Sequence, residues 1–152
     1  MSPTTLVTGA AGFAGSHLLD LLVGGASPVP ASASIVAWHR PNTNGSSGRH
    51  ADAGVEWEAV DLLDRDAVGR AVARIKPAAV YHCAGAAHVG RAWEQAESTF
   101  ATNVRGTHHL LDALARTGVE SRVLIPSSAL VYATADRALR EDDPLRPSSP
   151  YG

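Results

Sequence analysis

Short apolar runs alternate along this chain with stretches whose apolar positions recur at helical spacing. Thr4-Thr5-Leu6-Val7-Thr8, Ser34-Ile35-Val36-Ala37-Trp38, Val55 to Val60, Ala78-Ala79-Val80-Tyr81-His82 and Arg122-Val123-Leu124-Ile125-Pro126 read as strands. Between them, Ser16 to Val23 carries Leu18, Leu19, Leu21, Leu22 and Val23 on a helical pattern that Gly24-Gly25 ends. Arg65 to Ile75 predicts a second helix, opened by Asp64 as its cap and broken by Lys76-Pro77. Trp93 to Thr117 predicts one long helix that stops at Gly118. Ala26 to Ser32 reads as a loop, Pro41 to Gly54 as a mobile polar loop within the domain, and Asp142 to Pro150 as an irregular proline-rich stretch.

Strand and helix alternate throughout, which predicts a parallel sheet covered by helices on both faces. Right-handed crossovers leave few topologies for such a chain. The natural one is a doubly wound, three-layer αβα Rossmann-type sheet in order 3-2-1-4-5, forming one domain over residues 1–152. At the junction of the first strand and first helix stands Gly9-Ala10-Ala11-Gly12-Phe13-Ala14-Gly15. Glycines here let backbone approach a pyrophosphate, and a helix start offers it free N–H groups and a positive dipole end. The spacing is G-x-x-G-x-x-G, one residue off the usual G-x-G-x-x-G fingerprint.

Composition narrows the partners. A formal net charge of −2 gives no basic stripe for nucleic acid. The single cysteine, Cys83, rules out an intrachain disulfide and fits a reducing cytoplasm. No basic leader precedes the first strand, and no apolar stretch nears the roughly 18 residues of a membrane span. His108-His109 and the scattered carboxylates lack metal-ligand spacing, so no metal site is expected.

Further motifs follow the glycine loop in order: Asp61-Leu62; His82-Cys83-Ala84-Gly85-Ala86-Ala87-His88-Val89; Asn103-Val104-Arg105-Gly106-Thr107; Ser127-Ser128-Ala129-Leu130-Val131-Tyr132; and Glu141-Asp142-Asp143-Pro144 leading to Ser149-Pro150-Tyr151-Gly152. Together with T-G-x-x-G-F-x-G-x-x-L they resemble the extended short-chain dehydrogenases/reductases. These NAD(P)-dependent enzymes of nucleotide-sugar metabolism include UDP-galactose 4-epimerases and GDP-4-keto-6-deoxy-mannose reductases. The resemblance spans the whole chain.

It implies cofactor contacts at Gly9, Gly12, Phe13, Ala14 and Gly15, at Asp61 and Leu62 beside the adenine, at His82, Ala84 and Gly85 near the nicotinamide ribose, and at Asn103. His82 itself reads as a structural histidine at a strand end, and His88 as either substrate-facing or a loop residue. The second strand ends in Trp38-His39-Arg40-Pro41, with no acid for the ribose hydroxyls of NAD. Arg40 suits a 2′-phosphate, with Asn42, Thr43, Ser46 and Ser47 as neutral helpers, so NADP is preferred to NAD. Arg40 as a plain solvated residue is the competing reading.

The resemblance makes Tyr151 the catalytic proton carrier and Ser128, or its neighbour Ser127, the hydroxyl that holds the reacting oxygen. An unperturbed phenol, pKa about 10, is a poor base at neutral pH and needs a nearby ammonium. The matching lysine of Tyr-x-x-x-Lys would fall beyond Gly152, and so would the substrate domain. Tyr151 is therefore expected to fray, and chain 1–152 to lack turnover on its own. Leu130 stands where the family's dehydratases carry a glutamate base, which leaves epimerase and 4-keto reductase open. A homodimer through the long helix is expected for the complete protein. The alternative class is a non-catalytic dinucleotide sensor.

Overall fold

The computed structural model describes residues 3–24, 34–41, 50 and 53–152. Five parallel strands, β1 (Thr4–Thr8), β2 (Ser34–His39), β3 (Val55–Ala59), β4 (Ala79–His82) and β5 (Arg122–Leu124), form one sheet in order β3-β2-β1-β4-β5. The expected 3-2-1-4-5 order is present. Its register is regular: Thr8 lies beside Trp38 on one side and His82 on the other.

Period-two alternation divides the strands between two cores. Leu6, Val36, Trp38 and Val80 pack with Val68, Ala71 and Val72 of α2 (Arg65–Ile75) and Leu110, Ala113 and Leu114 of α4 (Thr107–Thr117). Val7, Ala37 and Val55 point the other way, onto Ala10 and onto Leu19 and Leu22 of α1 (Phe13–Val23). Burial on both faces explains why β1 and β2 read as apolar runs, whereas the edge strands β3 and β5 stay partly exposed.

Helix ends follow their side chains. Asp64 caps α2 by accepting from the Ala67 N–H at 2.9 Å. Lys76 closes it in the left-handed region at φ 44°, and Gly118 closes α4 at φ 63°. On the outer strand, Glu58 accepts from the buried Trp38 indole at 2.9 Å and pairs with Arg74 of α2 at 2.7 Å. These ties fix β3 to the helix behind it.

Three expected elements differ. Helix α1 begins at Phe13, not Ser16, because the end of the loop, Phe13-Ala14-Gly15, already forms its first turn. The long helix begins at α3 (Ala96–Phe100), with Trp93 in the turn before it, and passes through a π-helical stretch at Ala101–Gly106 before α4. Strand β5 stops at Leu124, and Ile125-Pro126 leave the sheet. Gly25, Ala26–Ser32, Asn42, Thr43, Ser46 and Ser47 lie outside the described residues.

Core packing should dominate stability. Leu110 is fully buried, so Leu110→Ala is expected to cost about 2–5 kcal/mol in urea unfolding. Leu21, 48% exposed on α1, serves as control: Leu21→Ala should change stability by no more than about 0.5 kcal/mol. Equal effects would contradict this packing.

Candidate functional site

The glycine loop, Arg40, Asp61 and segment 83–86 follow the carboxyl ends of β1, β2, β3 and β4, the edge where a doubly wound sheet has its crevice, at the switch between β1 and β4. The three loop glycines have different physical reasons to be glycine. Gly9 turns at φ 63°, and a Cβ there would come within 2.6 Å of the Ala84 backbone. A Cβ at Gly15 would collide with the Gly9 carbonyl and lie 2.8 Å from Ala10 Cα. The fold itself therefore demands both.

Gly12 is otherwise. Its φ of −79° is open to any residue, and an added Cβ would meet only the Gly9 carbonyl at 3.1 Å, which a small shift relieves. Gly12 is exposed, as are Phe13 and Ala14 beside it. It is the N-cap of α1, makes no side-chain cap bond, and is followed by no acidic residue in the first turn. The first intrahelical donor is the Ser16 N–H, to the Gly12 carbonyl at 2.9 Å. Helix starts normally satisfy their leading N–H groups with a side-chain cap. Here the opening is lined by glycine and faces outward, a cradle that a Cβ at position 12 would narrow. An anionic diphosphate fits that donor set.

Across the crevice, β4 runs into Cys83-Ala84-Gly85-Ala86. Asn103 in the π stretch binds this segment reciprocally: its Oδ1 accepts the Ala86 N–H at 2.7 Å and its Nδ2 donates to the Ala86 carbonyl at 3.3 Å. Such π turns concentrate at functional sites. His82 is only 3% exposed and both ring nitrogens are engaged, Nδ1 with Thr8 Oγ1 at 2.8 Å and Nε2 with Thr107 Oγ1 at 2.9 Å. Burial lowers its pKa to about 4, so the ring is neutral near pH 7. Its side chain is structural and lies under the crevice floor. Burial also pushes the Cys83 thiol up, as for an inert small hydrophobe.

Asp61 is exposed just past β3 and its Oδ1 accepts from the Leu63 N–H at 2.9 Å. Leu62 instead turns inward, 8% exposed, against Gly106, while its carbonyl accepts from His109 Nδ1 at 2.8 Å. Its side chain belongs to the core, which leaves only its backbone for a ligand. Arg40 is exposed at the end of β2. His39 beside it donates from Nδ1 to the Arg40 carbonyl at 3.0 Å.

Beyond β5, Ser128 Oγ accepts from the Leu130 N–H at 3.2 Å and caps the short turn Ala129–Val131, leaving its own hydroxyl hydrogen to donate outward. The chain then doubles back. Ala133 N–H donates to Pro144 and Arg146 N–H to Val131, around a Tyr132–Leu145 bridge. Arg137 and Asp143 pair inside this hairpin, with one contact of 2.9 Å, and the Arg140 N–H adds a bond to Asp143 at 2.7 Å. These hold the Asp143 carboxyl below the usual carboxylate range, the guanidinium foremost. The hairpin returns the end of the chain so that Gly152 packs against the Leu130 carbonyl and Pro147, and Tyr151 is half-buried. Arg137 and Asp143 carried no sequence signal beyond the Glu-x-x-Pro motif. Among the described residues no cluster of metal ligands occurs and no helix is long and apolar enough to cross a membrane.

A parallel sheet in this order, with a glycine-lined, uncapped helix start at its switch point, defines a Rossmann-type nucleotide-binding fold. Residues 5–152 match the NAD dependent epimerase/dehydratase family, to which the chain therefore belongs. A dTDP-glucose 4,6-dehydratase of Streptomyces griseus is 35% identical over 99% of this chain and 46% of its own. A UDP-glucose 4-epimerase of Mycolicibacterium smegmatis is 34% identical over 97% and 46%. The chain thus spans under half the length of these relatives. Among solved structures, the UDP-glucose 4-epimerase of Brucella ovis in complex with NAD aligns at TM-score 0.80 and 31% identity, over 99% of this chain and 43% of that one. The dTDP-glucose 4,6-dehydratase of Streptomyces venezuelae, also with NAD bound, aligns at 0.85 and 33%, over 97% and 47%.

The unequal demands on the glycines give a test. Gly9→Ala should destabilise the fold by more than about 2 kcal/mol, from its left-handed φ and the Ala84 clash. Gly12→Ala should cost about 1 kcal/mol as a poorer N-cap, yet weaken dinucleotide binding at least tenfold in calorimetry. Undiminished binding by a folded Gly12→Ala variant would contradict the cradle.

Proposed function

We propose that the protein binds a nicotinamide dinucleotide at the carboxyl edge of its sheet and acts on a nucleotide-linked sugar, as an oxidoreductase or epimerase working at sugar C4. The observation that carries this reading is the open, glycine-lined start of α1 beside the β1/β4 crevice, in a chain whose ordered motifs end at Tyr151. When bound, the nicotinamide supplies the hydride donor or acceptor. The Gly12–Gly15 turn holds the diphosphate, with Phe13 and Ala14 contributing backbone. Asp61 and the Leu62 backbone flank the adenine, and Ala84 and Gly85 flank the nicotinamide ribose with Asn103 supporting them. Tyr151 exchanges a proton with the sugar oxygen, and Ser128 donates its free hydroxyl hydrogen to that oxygen.

The first relatives include a dehydratase and an epimerase at 35% and 34% identity, so overall similarity does not separate the reactions. Leu130 does: it stands at the place of the dehydratase glutamate, and a leucine accepts no proton. Epimerase or reductase chemistry is favoured for that reason. Arg40 favours NADP, since a guanidinium pairs bidentately with phosphate; the NAD in the solved relatives supports the other choice. Phe100, Val104 and Leu111 are 61%, 49% and 40% exposed along α3, the π stretch and α4. This apolar stripe supports a homodimer through that helix, and sedimentation in which Phe100→Glu does not reduce dimer content would count against it.

Calorimetry with NADPH and NADH tests the reading. The chain should bind both and NADPH more tightly. Arg40→Ala should lower NADPH affinity about tenfold, the scale of a charged hydrogen bond, and leave NADH unchanged. Binding of neither would reject the assignment. Chain 1–152 should show no steady-state NADPH oxidation with keto-sugars.

A further inference from the structure

The hydrogen bonds around His82 admit one proton order. Thr107 Oγ1 lies 2.7 Å from the Asn103 carbonyl and 2.9 Å from His82 Nε2. A carbonyl only accepts, so the single hydroxyl hydrogen of Thr107 goes to Asn103. The hydroxyl must then accept from His82, whose Nε2 carries the ring proton. The bare Nδ1 accepts the Thr8 hydroxyl at 2.8 Å. Thr8 Oγ1 in turn accepts the Ala84 N–H at 3.3 Å. The chain of donors therefore runs Ala84 to Thr8 to His82 and, from the other ring nitrogen, His82 to Thr107 to Asn103.

The two ends of this chain meet the same segment. Ala84 is at one end, and Asn103 grips Ala86 at the other with two bonds. Thr8 directly precedes Gly9, which already touches Ala84 as closely as a glycine permits. Gly106 lets the helix rest on Leu62, so the helix has a fixed seat from which to act. Thr107 stands between the two, bonded to His82 on one side and to the Asn103 carbonyl on the other.

We propose that Thr107 is a positioning residue for the dinucleotide site: through His82 it sets Thr8 and the Ala84 amide, and through Asn103 it sets Ala86. The π stretch and the crevice floor then move as one unit. This rests on the reading that the crevice binds a dinucleotide, and its test separates the two.

Thr107→Val keeps the shape and removes the hydroxyl; Thr107→Ser keeps the hydroxyl. Nitrogen-15 spectra of the wild-type chain should show the His82 proton on Nε2. In Thr107→Val the Ala84 and Ala86 amides and the Asn103 side-chain amide should shift, and dinucleotide affinity should fall about tenfold, the scale of one buried hydrogen bond lost. Thr107→Ser should restore both. A wild-type proton on Nδ1 overturns the proposal even if the valine variant does not fold. Unmoved amides, unchanged affinity in Thr107→Val, or no rescue by serine overturns it too. If the wild type binds neither NADPH nor NADH, the dinucleotide reading falls and the positioning role with it, whereas loss of affinity only in the valine variant supports both.

Discussion

The rest of the structure depends on how closely the turn after β1 approaches the end of β4. Gly9 sits against the Ala84 backbone at a distance that leaves no room for a side chain. That approach closes the bottom of the crevice and aims the start of α1 across it. Thr8, the glycine loop and the start of segment 83–86 meet at this contact. The sheet supplies the scaffold cheaply, since its central strands β1 and β2 are buried on both faces and need little beyond apolar bulk.

The glycine loop shows how one motif serves two masters. Two of its glycines answer to the protein's own packing: Gly9 to the turn and Ala84, Gly15 to the seat of α1 on Gly9 and Ala10. Neither would reveal a ligand. Gly12 has no comparable internal reason, and it stands where the helix presents unmatched donors to solvent. The functional content of the motif is concentrated in that middle position. The same division recurs in Asp61-Leu62, where the aspartate faces out and the leucine completes the core, and in Asn103 and Thr107, where one side chain reaches the crevice segment and the other reaches the buried imidazole.

Much of this was legible in the sequence because the signals are local. Apolar runs mark parallel strands, Asp64 and Gly118 mark helix ends, and the glycine spacing marks the turn. What was not legible depends on contacts between distant positions. Thr8 meets His82 across 74 residues and His82 meets Thr107 across 25; no spacing rule links them. The π insertion leaves the apolar periodicity on either side intact, so a single helix was the natural expectation. Leu62 and Leu130 have the same side chain and opposite fates, one at 8% and one at 45% exposure; tertiary packing buries the first in the core beside Gly106. The hairpin that brings the chain back toward Leu130 contains the Arg137–Asp143 pair, two charged residues that look like ordinary surface in sequence.

The most direct test of the central claim is to follow the backbone amides of the chain as NADPH is added. If the start of α1 cradles the diphosphate, the largest shifts fall on Phe13, Ala14 and Gly15, saturate together, and are reproduced in part by inorganic pyrophosphate. Saturating NADPH that leaves those three amides unmoved, while others elsewhere respond, would contradict the account.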